Sequence, residues 1–210
     1  NLGVKLLGLL QSREHAPALA RMIVDRTPAG LIARCLGGDF RQVGFIRRNA
    51  LTALARLGAV SEEIEQALVV ALADPYYEAR AEAARTAATL AESLATRRAE
   101  VLDALERCTR GKSIEVAAAA AEALGAVGEG ERAVHALVGL AEARFWKVRA
   151  AALVGLLRLV QRHKCGDVAA VERAIRRFVL TSTDFQPQFQ IKRTYGLLLA
   201  AIDAEKGSPR

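Results

Sequence analysis

The residues best suited to chemistry in this chain lie where helical segments begin. Phe40 and Phe45, Tyr76 and Tyr77, Phe145 and Trp146, and Phe185 and Phe189 are eight of the ten aromatics, and all fall in the turns just ahead of a recurring helix. Beside them stand Arg41, Arg47 and Arg48, then Arg144, Lys147 and Arg149, then Lys192 and Arg193. Rings supply contact area at little entropy loss, and cations near helix N-termini attract anions. That combination suits binding. The rings can be read as wedges that seal the edge of a core or as an open strip. Consecutive pairs such as Tyr76-Tyr77 and Phe145-Trp146 cannot both face inward on a helix, so at least one of each pair is expected at the surface.

Bond-making chemistry has no comparable signal. There is no Ser, His and Asp constellation and no phosphate-cradling glycine loop. Cys35, Cys108 and Cys165 are odd in number, far apart and without a Cys-x-x-Cys pair, so they read as reduced thiols of a cytoplasmic protein. His15, His135 and His163 are scattered, and Glu62-Glu63-Ile-Glu65 reads as acid favouring a helix N-terminus. No catalytic residue, cofactor or metal is expected. The formal charge of +7 admits an acidic partner, but Glu78, Glu82 and Glu122 dilute the cations, so a uniformly basic groove is not evident.

What must position these turns is a repeated helix pair. Anchors begin at Val4, Ile46, Ala79, Val116, Val148 and Ile191, at intervals of 42, 33, 37, 32 and 43 residues. Spacings of this size mark a helical solenoid. Within one anchor Val148, Ala152, Leu156 and Leu159 recur on one helix face. Apolar residues make up 52% and aromatics only 5%, so the helices are built from Ala, Leu and Val and can approach closely. Anchor helices are expected near 2–12, 41–57, 75–93, 112–127, 144–163 and 188–203, with first helices near 16–26, 61–73, 96–109, 131–141 and 167–180. Pro75 should occupy a first helical position. Gly58, Gly128 and Gly166 should end helices in the left-handed conformation. A short extra helix is expected in the Arg26 to Gly38 insertion. The array should run over 1–203 as one domain, with 204–210 a frayed tail. The apolar start around Leu2, Leu6 and Leu9 lacks a polar face, so the chain is expected to be a fragment or covered there.

Asp74-Pro75 with Ala79-Arg80, Val148-Arg149 followed by small residues, and Ala123-Leu-Gly-Ala-Val-Gly leading into Arg132-Ala-Val-His-Ala-Leu resemble the HEAT-like repeat family, in the bacterial form related to phycocyanobilin lyase repeats. The resemblance implies an all-α, right-handed α-α superhelix of about eleven helices whose second helices line a concave face. Arg48, Arg56, Arg85, Arg158 and Arg193 would take outer positions there, and Ala117 to Ala121 would form a smooth surface. Arg47, Arg80, Arg149 and Lys192 share one repeat position and are expected to pair with carboxylates inside the array. Arg48, Arg144, Lys147 and Arg193 have no such explanation. Ala117 replaces the usual basic residue, and only Asp74 lies at the usual distance before its anchor, so an Asp to Arg ladder is partial.

The expected function is a non-catalytic protein-protein interaction scaffold. Its partner-binding residues would be Tyr76, Tyr77, Phe145, Trp146, Arg48, Arg85, Arg144, Lys147, Arg158 and Arg193. The partner would be a protein, an acidic one among the candidates, with no membrane insertion and an open oligomeric state. A nucleic-acid-binding protein related to alkylpurine DNA glycosylases is the alternative. A bilin lyase subunit ranks last, because no residue points to a bilin pocket.

Overall fold

Helices start where the chain offers an acceptor for free amides. The computed structural model describes residues 2–9, 13–25, 40–178 and 185–207. Eleven α-helices lie among them: α1 Leu2–Leu9, α2 Ala16–Val24, α3 Phe40–Leu57, α4 Glu62–Leu72, α5 Tyr77–Thr89, α6 Arg98–Thr109, α7 Ile114–Val127, α8 Gly130–Ala141, α9 Trp146–Gln161, α10 Val168–Arg176 and α11 Phe185–Gly207. No strand occurs among the described residues. Ser61 and Ser113 each accept a bond from the amide three residues on, at Ile64 and Val116, and Asp167 accepts from Ala169. These caps satisfy orphan donors of α4, α7 and α10. Gly58 closes α3 at φ 60°, as expected.

Four details differ from the sequence reading. Pro75 lies ahead of the N-cap Tyr76 rather than inside α5. Gly128 has φ −73°, so it is not a left-handed cap; a Cβ there would come within 2.7 Å of Ala133 Cβ, and close contact is what requires glycine. Helix α9 is ended by His163 at φ 53°, whose amide donates to Val160 while that of Lys164 donates to Leu159, and left-handed Gly166 follows in the loop. Helix α11 continues to Gly207, beyond 203. The expected extra helix around Leu31 to Leu36, and Cys35 with it, lies outside the described residues.

The chain divides into two compact units, Asn1–Ala104 and Leu105–Arg210. In the first, α3 is flanked by α1 and α5, with α2 and α4 packed behind them. Leu19, Ile23, Leu51, Leu54, Ile64 and Leu68 are fully buried between these layers. Arg47 crosses from α3 to the turn before α5, where Nε and Nη2 donate to the two Asp74 oxygens at 2.7 and 2.9 Å. Both residues are buried, so the forked geometry must offset their desolvation. A second tie is Glu65, 2% exposed, whose carboxylate accepts from the backbone amides of Ala95, Thr96 and Arg97 ahead of α6.

In the second unit α9 lies between α7 and α11, with α8 and α10 packed behind. Val148, Ala152, Leu156 and Leu159 all face its core, as their spacing predicts. Helices α7 and α9 meet at Gly125 and Gly155, where a Cβ on Gly125 would stand 2.3 Å from Gly155 Cα. Only glycine permits that approach. Ala117, Ala119, Ala120 and Ala121 are buried. The smooth exposed surface expected there is therefore core; small side chains on α7 admit the neighbouring backbones.

Candidate interaction surface

The turns ahead of α5 and α9 carry the rings singled out by the sequence. At the first, Tyr76 is half-buried against Gly44, where an added Cβ would meet its ring at 2.6 Å, and lies edge-on to Phe45 at 5.6 Å. Tyr76 is the wedge of that pair. Burial, and then the neighbouring Glu78 carboxylate, hold its hydroxyl above the ordinary tyrosine pKa. Tyr77 is 43% exposed and its hydroxyl donates to Glu78. At the second turn Phe145 is 46% exposed and Trp146 half-buried. Each pair thus has one exposed member, as helical geometry demands. The side chains of Phe40, Arg41, Phe185 and Phe189 lie outside the described residues.

Cations accompany these rings. Arg48 lies over Phe45 at 4.9 Å, Arg144 over Phe145 at 5.8 Å and Lys147 over Trp146 at 6.0 Å. Such stacking is worth about 0.5–1 kcal/mol at exposed sites and holds the cation beside the ring. Arg48 also pairs with Glu78 at 2.6 Å, so it is accounted for inside its unit, contrary to expectation. Glu82 receives Thr52 at 2.7 Å and Arg85 at 3.1 Å. In the second unit Arg158 approaches Glu122 at 4.0 Å and donates to its carbonyl at 3.2 Å. Lys192 and Arg193 are exposed on α11. Glu115, at the start of α7, sits below the usual carboxylate range because its own backbone amide and the Ser113 hydroxyl bond to it, with Lys147 contributing.

The shared position Arg47, Arg80, Arg149 and Lys192 is less uniform than expected. Among the described residues only Arg47 of the four bonds to a carboxylate. Arg80 donates to the carbonyls of Asp74 and Pro75, and Arg149 to those of Ala143 and Arg144 at 2.9 Å each. Both guanidiniums reach back to the turn before their own helix, because a long fork on the second helical turn can span five or six residues to unpaired carbonyls. These two arginines set the shape of the aromatic turns. Sequence reasoning also missed Glu65, although it stands three residues before Leu68 and seven before Leu72, on the buried stripe of α4.

Fold and surface together define an α-solenoid of paired helices. Residues 65–157 match the family of HEAT repeats. Among similar solved structures is a designed armadillo repeat protein, 18% identical with a TM-score of 0.56, over 93% of this chain and 91% of that one. Two engineered proteins from a structural genomics consortium are also similar. One is 19% identical with a TM-score of 0.54 over 96% of this chain and 98% of its own; the other is 21% identical, at 0.51, over 97% of each. Likeness at this identity shows the fold alone. No curated protein matches the sequence. Among the described residues no helix is long and apolar enough to cross a membrane, and no group of three or more His, Cys, Asp or Glu residues could hold a metal ion.

Proposed function

We propose that this chain is a non-catalytic interaction scaffold that docks a protein through the turns ahead of its second helices, in a reducing cytoplasm. The observation that supports it is the exposed ring at each described turn, Tyr77 in one unit and Phe145 in the other, with a cation over a ring beside it. Tyr76 lies 5.8 Å from Tyr77, Trp146 follows Phe145 in the chain, and Arg48, Arg85, Arg158 and Arg193 on the second helices complete the proposed contact residues. The buried thiols of Cys108 and Cys165 suit a reducing compartment. Affinity purification with quantitative mass spectrometry, comparing the wild type with Y77A and F145A, tests the reading. A partner recovered by the wild type and depleted by at least one variant is expected. Equal recovery of every protein by all three would remove the turns from the claim.

Protein is favoured over nucleic acid because the second helices interleave signs. Among the described residues, Arg48 with Glu78 and Arg85 with Glu82 in the first unit, and Arg158 with Glu122 in the second, put carboxylates beside the cations that a phosphate backbone would need. Duplex DNA should therefore bind weakly in low salt. Tight binding that falls steeply as salt is raised would reverse this preference.

A further inference from the structure

Resting on the scaffold reading, we propose that the principal contact is the turn at residues 144–147 and that its partner is an acidic peptide segment carrying one apolar anchor side chain. The two described turns differ in what their charges already do. At the first, Glu78 takes up both Arg48 and the Tyr77 hydroxyl. At the second, Arg144 and Lys147 lie over rings and make no ion pair among the described residues. The first turn of α9 carries no acid, and its N-cap Phe145 makes no side-chain cap bond. Glu142 stands two residues ahead of Arg144 in the chain, and Glu115, which Lys147 influences electrostatically, is engaged first by its own amide and by Ser113. Helix α11, packed beside α9, adds exposed Lys192 and Arg193.

This surface has the chemistry to recognise acids: an exposed phenyl ring for one apolar anchor, bordered by cations for the carboxylates around it. Arg149, bonded to the carbonyls of Ala143 and Arg144, holds the turn before a partner arrives, so less ordering entropy is lost on binding. A single-stranded nucleic acid fits less well. Base stacking needs successive open rings, and the described part of this unit exposes Phe145 as its large aromatic while Trp146 is half-buried.

The test selects phage-displayed random dodecapeptides on the full 210-residue chain, with counter-selection on R144E/K147E. Peptides kept by the wild type and lost on the variant should be rich in Asp and Glu around a Leu, Phe or Trp. A fluorescein-labelled representative, followed by anisotropy, should bind about tenfold more weakly to F145A and to R144Q/K147Q, and within about twofold of wild type to Y77A. Circular dichroism melts confirm that each variant is folded. Enrichment of neutral or basic peptides, absence of any discriminating peptide, or equal binding by F145A would overturn the proposal. Peptides lost on Y77A but kept on F145A would leave the scaffold reading standing and move the contact to the other unit. A labelled single-stranded oligonucleotide that binds more tightly than the peptide and displaces it would replace the acidic segment with a nucleic acid.

Discussion

The first unit holds its helices by buried charge, whereas the second holds them by backbone proximity. Arg47 with Asp74 and Glu65 with three amides tie the first. In the second the comparable work falls to Gly125 against Gly155, with Arg162 donating to the carbonyls of Gly125 and Gly128 at 3.2 and 3.4 Å. The same division reaches the surface. Carboxylates in the first unit engage the cations of its aromatic turn, and the second leaves Arg144 and Lys147 to their rings. One repeat architecture thus accommodates two means of cohesion, and in the unit without a buried carboxylate among its described residues the cations of the aromatic turn make no ion pair there.

This contrast can be broken by substitution. Asp74→Ala should have the largest effect, about 3–5 kcal/mol in urea unfolding, because Arg47 would remain buried without its counter-ion. Hydrogen exchange should place the loss in the first unit; a loss under about 1 kcal/mol would show that water replaces the carboxylate. Glu65→Ala should lower stability by about 2–3 kcal/mol by stranding the amides of residues 95–97, and their exchange should accelerate. Unchanged protection there would contradict the clasp. Gly125→Ala should cost about 1–3 kcal/mol, with faster exchange in α7 and α9, since the added methyl has only backbone to displace. Were it neutral, the approach of those helices would be looser than described. The smallest effect is expected for Phe145→Ala, within about 0.5 kcal/mol, in keeping with an exposed ring that packs little. A loss above 2 kcal/mol would make Phe145 a wedge like Tyr76 and end its role as an open contact.

Much of the architecture was legible because periodicity is local. The small-residue anchors and the stripe from Val148 to Leu159 each depend on residues within a few turns. The first helices fell within a few residues of expectation for the same reason, as 96–109 against α6 shows. Partners some thirty residues away were harder to read. Arg47 finding Asp74 follows the repeat length, but Arg80 and Arg149 turning to carbonyls depends on turn conformation, which the residue types leave open. Ala117 and Ala119 to Ala121, which are buried, were misplaced because alanine carries no sign of which side faces a neighbour. The exposed members of the aromatic pairs followed from helical geometry in number but not in identity: Phe145, rather than Trp146, is the more open ring.

Glu65 grips main-chain amides instead of side chains, and those amides are present whatever residues occupy 95, 96 and 97. Barring proline at those three places, the loop can drift freely in sequence while its anchorage persists. Divergent relatives should therefore keep an acid at this point of the fourth helix long after the loop it secures has become unrecognisable.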